Sequence, residues 1–157
     1  MKVWKTIKIG THKNVAELKK SILDAGFRIG SWAKDVLDSP AFTLAPKESR
    51  TDLVRVTVGE LGFPKGADRK EIYRRALEVG LALCPLEVGP QLRLQYPDQT
   101  TKYESLQIGM EPQKDSQGHE SEFRVVHAGD DFLWLAGDHR HPDDFWEADE
   151  EFIFVKP

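Results

Sequence analysis

One cysteine, Cys84, stands in the whole chain, so no intrachain disulfide can form and no paired-thiol metal knuckle exists. Long apolar runs are missing as well. The opening Met1–Ile9 alternates Val3, Ile7 and Ile9 with Lys and Thr, so it has no continuous apolar stretch of the signal-peptide kind, and no stretch is long enough to span a bilayer. These absences set the expectation of a protein in a reducing compartment, the cytoplasm, with no membrane contact. The phosphate-cradling pattern is missing too, because Gly59, Gly62 and Gly66 lack both the loop spacing and the Lys-Ser/Thr that would follow it. There is no Gly-x-Ser-x-Gly elbow and no His-Glu-x-x-His pair.

What is present suits one domain over residues 1–157 with a sizeable core: hydrophobic residues make up 39%, and aromatics reach 10%. The net charge of −4 is unevenly spread. Residues 1–80 carry 16 of the 22 Lys and Arg and 10 of the 26 Asp and Glu, a net of +6, and the remainder is −10. Such polarity can steer a charged partner, or simply let the two halves face each other.

Periodicity predicts helices early and strands late. Val3–Ile9 alternates like a strand. Asn14 with Glu17 forms a capping pair for a helix carrying Val15, Leu18, Ile22 and Ala25, with Gly26 to end it. Ser31 is placed to cap a second helix that buries Trp32, Ala33, Val36 and Leu37 and stops before Pro40. Leu53–Val58 reads as a central strand and Gly62–Gly66 as a turn. Asp68 with Glu71 opens a third helix with Ile72, Ala76, Leu77 and Val79 facing inward. Gln91–Tyr96 alternates strictly and reads as a strand, with Leu92, Leu94 and Tyr96 on one face and Gln91, Arg93 and Gln95 on the other. Leu106–Met110 alternates again, 123–127 and 132–135 flank a hairpin turn at Ala128–Asp131, and Phe152–Val155 closes the pattern. The expected fold class is α+β: three helices in the N-terminal half packed on a mainly antiparallel β-sheet formed largely by the C-terminal half.

Two sets of residues are candidates for a site. Glu87, Arg93 and Gln95 would line a polar pocket if the wet face of the expected 91–96 strand lay under a loop, and the guanidinium would suit a carboxylate or phosphate. The plain alternative is a half-exposed strand with one solvated face. His139, His141 and Asp143, in the segment Asp138–Glu147, could hold a divalent metal ion if the fold brought in a further ligand such as His119 or His127. Here the plain alternative is a solvated acidic connection. Cys84, between Leu83 and Pro85, reads as an inert buried thiol. The helices around Gly26 loosely resemble a helix-turn-helix, but the second offers only Lys34 as a cation, and the negative net charge argues against nucleic acid. Any of Trp134, Phe145, Trp146, Phe152 and Phe154 left exposed beside the acidic segment would make a protein-contact patch.

The runs Glu60-Leu61-Gly62-Phe63, Ala76–Leu81 and Cys84-Pro85 through Gln91–Tyr96 with Asp98-Gln99, together with Met110-Glu111-Pro112, Phe145-Trp146 and Phe152–Val155, resemble an uncharacterised family of short bacterial proteins. The resemblance covers most of the chain. It implies a bacterial origin and a free-standing domain, and it carries over no catalytic residue and no substrate. The leading functional expectation is therefore a binding or regulatory module for a protein or small polar ligand, with no cofactor. A metal-dependent hydrolase using the His139/His141 acidic cluster is the alternative, and a nucleic-acid-binding protein comes after it.

Overall fold

The alternation at the start of the chain becomes strand β1 (Lys5–Ile9), whose Ile7 and Ile9 are buried while Thr6 and Lys8 are exposed. The computed structural model describes residues 1–114, 117–141 and 143–157. Helix α1 (Val15–Asp24) starts as its cap predicts: the Asn14 side chain accepts the Glu17 backbone N–H at 2.8 Å. Gly26, at φ +90°, turns the chain out of it. Strand β2 (Arg28–Ile29) follows, then α2 (Ser31–Asp38). Gly30, and not Ser31, occupies the N-cap of α2, with no side-chain hydrogen bond. The interposed strand removes the helix-turn-helix geometry that the two helices suggested.

Strand β3 (Ser49–Thr57) and the short β4 (Ala67–Asp68) lead into α3 (Arg69–Glu78), where Asp68 accepts from Glu71 N as expected. Ile72 and Ala76 of α3 are buried, but Leu77 and Val79, expected inside, are exposed. The main departure comes next. Residues 88–95 form a fourth helix, α4 (Val88–Gln95), where a strand was expected. The remaining strands are β5 (Ser105–Ile108), β6 (Gln113–Lys114), β7 (Glu120–His127), β8 (Leu133–His139), β9 (Phe145–Trp146) and β10 (Glu151–Val155).

Eight of the strands make one mixed sheet in the order β1-β3-β10-β5-β7-β8-β2, with β6 added on β7. The β10–β5 and β2–β8 pairs are parallel and the others antiparallel, so the expected antiparallel meander holds only for β5, β7 and β8. The strand at 151–155 does not extend that meander but inserts between β3 and β5. Successive residues of a strand point to opposite faces, and the core divides accordingly. Leu53 and Ile153 join α1, α2 and α4 on one face, whereas Val54, Val56, Phe152 and Phe154 pack with Ile72 and Ala76 of α3 on the other. Among the described residues no helix is long and apolar enough to cross a membrane.

The acidic segment after β8 is anchored at one point, while Asp143, Glu147 and Asp149 stay exposed. β4 pairs with β9 through Ala67↔Trp146 and Asp68↔Phe145. Trp146 is 3% exposed and packs edge-on against Phe152, so the proposed aromatic contact patch reduces to Phe145, at 57%. Gly66, at φ +86°, is required at this junction, because a Cβ there would stand 2.4 Å from the Trp146 carbonyl oxygen.

Candidate functional site

The expected pocket of Glu87, Arg93 and Gln95 does not form. On a helix, positions 87, 91 and 95 share a face, and position 93 points about 200° away from 91. Glu87, Gln91 and Gln95 accordingly make a ladder: Gln91 Nε2 donates to Glu87 Oε2 at 2.9 Å, and Gln95 Nε2 donates to Gln91 Oε1 at 3.0 Å. The buried Glu87 carboxylate also accepts the backbone N–H groups of Gly10 at 2.7 Å and Ala45 at 2.8 Å, tying two loops to α4. Arg93 is fully buried on the other side of the helix. It donates to Gln99 Oε1 (2.7 Å) and to the carbonyl oxygens of Tyr96 (2.7 Å), Trp134 (3.2 Å) and Val126 (3.3 Å), and it lies over the Phe27 ring. Burial lowers its pKa to about 10. All three residues hold the fold together.

Beside this ladder, His12 Nε2 lies 3.0 Å from Ser21 Oγ, a nucleophile-and-base spacing. The pair sits in a wider network: His12 Nδ1 lies 3.0 Å from Thr11 Oγ1 and 3.3 Å from Gln91 Nε2, and Gln91 Nε2 donates to Thr11 Oγ1 and Glu87 Oε2, both at 2.9 Å. Cys84 is buried, its thiol donates to the Ile153 carbonyl oxygen at 3.4 Å, and burial raises its pKa, as expected of an unreactive thiol.

The histidines tell a different story. A cleft of about 240 Å³ opens at the end of the β7–β8 ladder, lined by Lys114, Gly118, His119, Glu120, His139, Arg140 and His141. β8 carries His139 to this end opposite Ser121, and Arg140 N donates to the Glu120 carbonyl oxygen, which continues the pairing by one step. His139 and His141 thus share a cleft, and the fold brings in His119, whose ring centroid is 5.0 Å from that of His139. Asp143 sits in an exposed turn outside the cleft, and His127 lies at the far end of β7 with Nδ1 3.0 Å from the Gln99 carbonyl oxygen. Among the described residues, no group of three or more His, Cys, Asp or Glu is arranged to hold a metal ion.

Two of the lining side chains are packed on aromatic rings. His139 stacks on Trp32 of α2 with centroids 3.9 Å apart and planes at 18°. Trp32 was expected to be buried and is 45% exposed. The Arg140 guanidinium lies over the Trp146 ring at 3.9 Å. Its nearest carboxylates among the described residues, Asp138 and Glu150, are each at 3.9 Å.

Behind the cleft lies a buried ionic network on the face that α3 covers. Arg69, the first residue of α3, pairs with both Glu120 and Glu122. Glu122 also accepts from Gln107 Nε2 at 2.8 Å and stands directly across from Asp138, which pairs with Arg124 at 2.7 Å. Burial raises the Glu122 pKa to about 7 against the pull of Arg69, and it raises that of Asp138 as well. The alternation Glu120, Glu122, Arg124 on one face of β7 was the available sequence sign of this network, and nothing local pointed to Arg69 as its partner. Lys114 and Glu120 likewise became site residues only through tertiary placement.

No family model, curated protein or solved structure matches the chain.

Proposed function

We propose that this chain is a binding protein that takes a small anionic ligand in the cleft between β6, the start of β7 and the end of β8. The observation that carries this reading is Arg140. Its guanidinium is oriented by the Trp146 ring at the lip of a concave site, and among the described residues it makes no ion pair shorter than 3.9 Å. A guanidinium held in place with donors to spare suits a carboxylate or phosphate oxygen. Lys114 and His141, both exposed on the same cleft, add positive or proton-donating groups. Glu120, the one acid lining the cleft among the described residues, is paired with Arg69, which it shares with Glu122. This reading narrows the small polar ligand of the sequence reading to an anion that would bind in competition with water at an open site. The three histidines that line the cleft lack a common metal-holding geometry among the described residues, so the hydrolase alternative has less support.

Calorimetric titration with inorganic phosphate and with acetate, at neutral pH and low salt, tests the proposal. Saturable binding that Arg140→Ala weakens at least about tenfold is expected, with Arg140→Lys in between. Absence of binding by both anions, or binding that Arg140→Ala leaves unchanged, would overturn it. Stoichiometric uptake of zinc without anion binding would return the site to the metal reading.

A further inference from the structure

We infer that a proton on the buried Glu122 strengthens anion binding in the cleft, acting through Arg69, an inference that rests on the anion-binding reading above. Arg69 is forked between two carboxylates. Its Nη2 donates to Glu120, which lines the cleft, and its Nη1 donates to Glu122, which is buried behind it. The two acids stand two residues apart on one face of β7, so a single guanidinium spans both. One positive charge shared between two negative ones leaves the cleft acid only partly offset. With a proton on Glu122, Arg69 belongs to Glu120 alone, and the cleft that Lys114 and Arg140 line becomes more positive.

The surroundings of Glu122 suit that exchange. Among the described residues, Arg69 is the only cation paired with it. Arg124 of β7 is committed to Asp138 at 2.7 Å, and Asp138 of β8 stands directly across from Glu122 as a further acid. Tyr73 of α3 faces the same network, with its hydroxyl donating to the Met110 carbonyl oxygen at 2.9 Å. Lys114 of β6 stands across from Glu120 and is exposed. Gln107 of β5 donates Nε2 to the Glu122 carboxylate at 2.8 Å, and its own Oε1 is buried without a partner. Rotation of that amide would present the oxygen to a protonated Glu122, so both states of the carboxyl have a hydrogen-bond partner. Arg69 directly follows the β4–β9 pair at Asp68↔Phe145, which fixes its backbone, so what changes is how one guanidinium is divided. Burial raises the Glu122 pKa to about 7, which places the exchange across neutral pH.

Titration with inorganic sulfate, which stays a dianion throughout, at about pH 5.5 and about pH 8 tests the inference. His119, His139 and His141 titrate in the wild type and in Glu122→Gln alike, so the ratio of the two affinities isolates Glu122. Glu122→Gln is expected to match the wild type within about twofold at the lower pH and to bind sulfate about threefold tighter or more at the higher. In a Glu120→Gln background, where Arg69 has no cleft acid to serve, the gain from Glu122→Gln should fall below about twofold. A ratio that does not change with pH, or a gain that survives intact in the Glu120→Gln background, would overturn the inference and leave the anion site standing. If sulfate binds at neither pH, both readings fall. Should Glu122→Gln fail to fold, carboxyl-carbon NMR of the wild type decides: by reciprocity, saturating sulfate should move the Glu122 pKa upward by about 0.5, and an unmoved pKa would overturn the inference.

Discussion

Gln95 pairs with Lys8 as if it were a strand residue: its side-chain oxygen accepts the Lys8 N–H at 2.9 Å and its nitrogen donates to the Lys8 carbonyl oxygen at 2.8 Å. β1 is the edge of the large sheet, and an open edge invites another chain to pair with it. The amide at the end of α4 therefore closes the edge at its middle. Gln95→Ala is expected to cost about 1 kcal/mol, since the bonds are near solvent, and to promote association at high concentration. Urea unfolding measures the first and sedimentation the second. An unchanged midpoint with an unchanged monomer would show that water serves Lys8 as well.

Arg93 predicts a larger loss. Its guanidinium joins the end of α4 to β7 and β8 through three carbonyl oxygens and Gln99, with the bonds to Gln99 and Val126 buried and those to Tyr96 and Trp134 partly so. Arg93→Met fills the space but leaves those acceptors without a donor. It should destabilise by about 3 kcal/mol or more, with Arg93→Lys intermediate. A denaturant series with a constant m-value checks it. A loss under about 1 kcal/mol would mean that water reaches these oxygens.

The Glu122 carboxyl sets a pH dependence with a definite sign. Its pKa is about 7 in the folded protein against an ordinary 4.5, so between those values the folded state binds more protons than the unfolded one. Stability from this group is present below about pH 4.5 and is lost as pH rises through 7, by about 3 kcal/mol in total. Glu122→Gln, which keeps the shape and a hydrogen-bonding head, should flatten the melting temperature between pH 5 and 8 relative to the wild type. If the two profiles run parallel, the Arg69 pair holds the carboxylate ionised throughout.

Helix starts were legible in the sequence wherever a cap is a local event, as at Asn14 and Asp68, where a side chain meets a backbone N–H three residues on. α4 was not, because two periods coexist in it. Leu92, Leu94 and Tyr96 alternate like a strand, while Glu87, Gln91 and Gln95 recur at a helical interval. Residues Val88 to Arg93 are all buried, so neither a wet face nor a dry one marks the period. The mispaired strand also produced the wrong pocket, since only alternation would place Arg93 beside Gln95. The histidine cluster was half legible. His139 and His141 do share a cleft, but Asp143 is absent from it, and His119 and Lys114 enter only through the pairing of β6 and β7.

The place of β10 bears on how the chain is made. Residues 151–155 lie between β3 and β5, hydrogen-bonded to both, although synthesis delivers them after either neighbour. Without them, β1 with β3 and β5 with β7 and β8 would share no strand pairing, and each set would present an unpaired edge where β10 lies. Sheet completion waits for this one segment, which contributes Phe152, Ile153 and Phe154 to both faces of the core at once. A chain that ended before residue 151 would therefore lack the strand that joins the two sets, leaving the edges of β3 and β5 open to pairing with other chains.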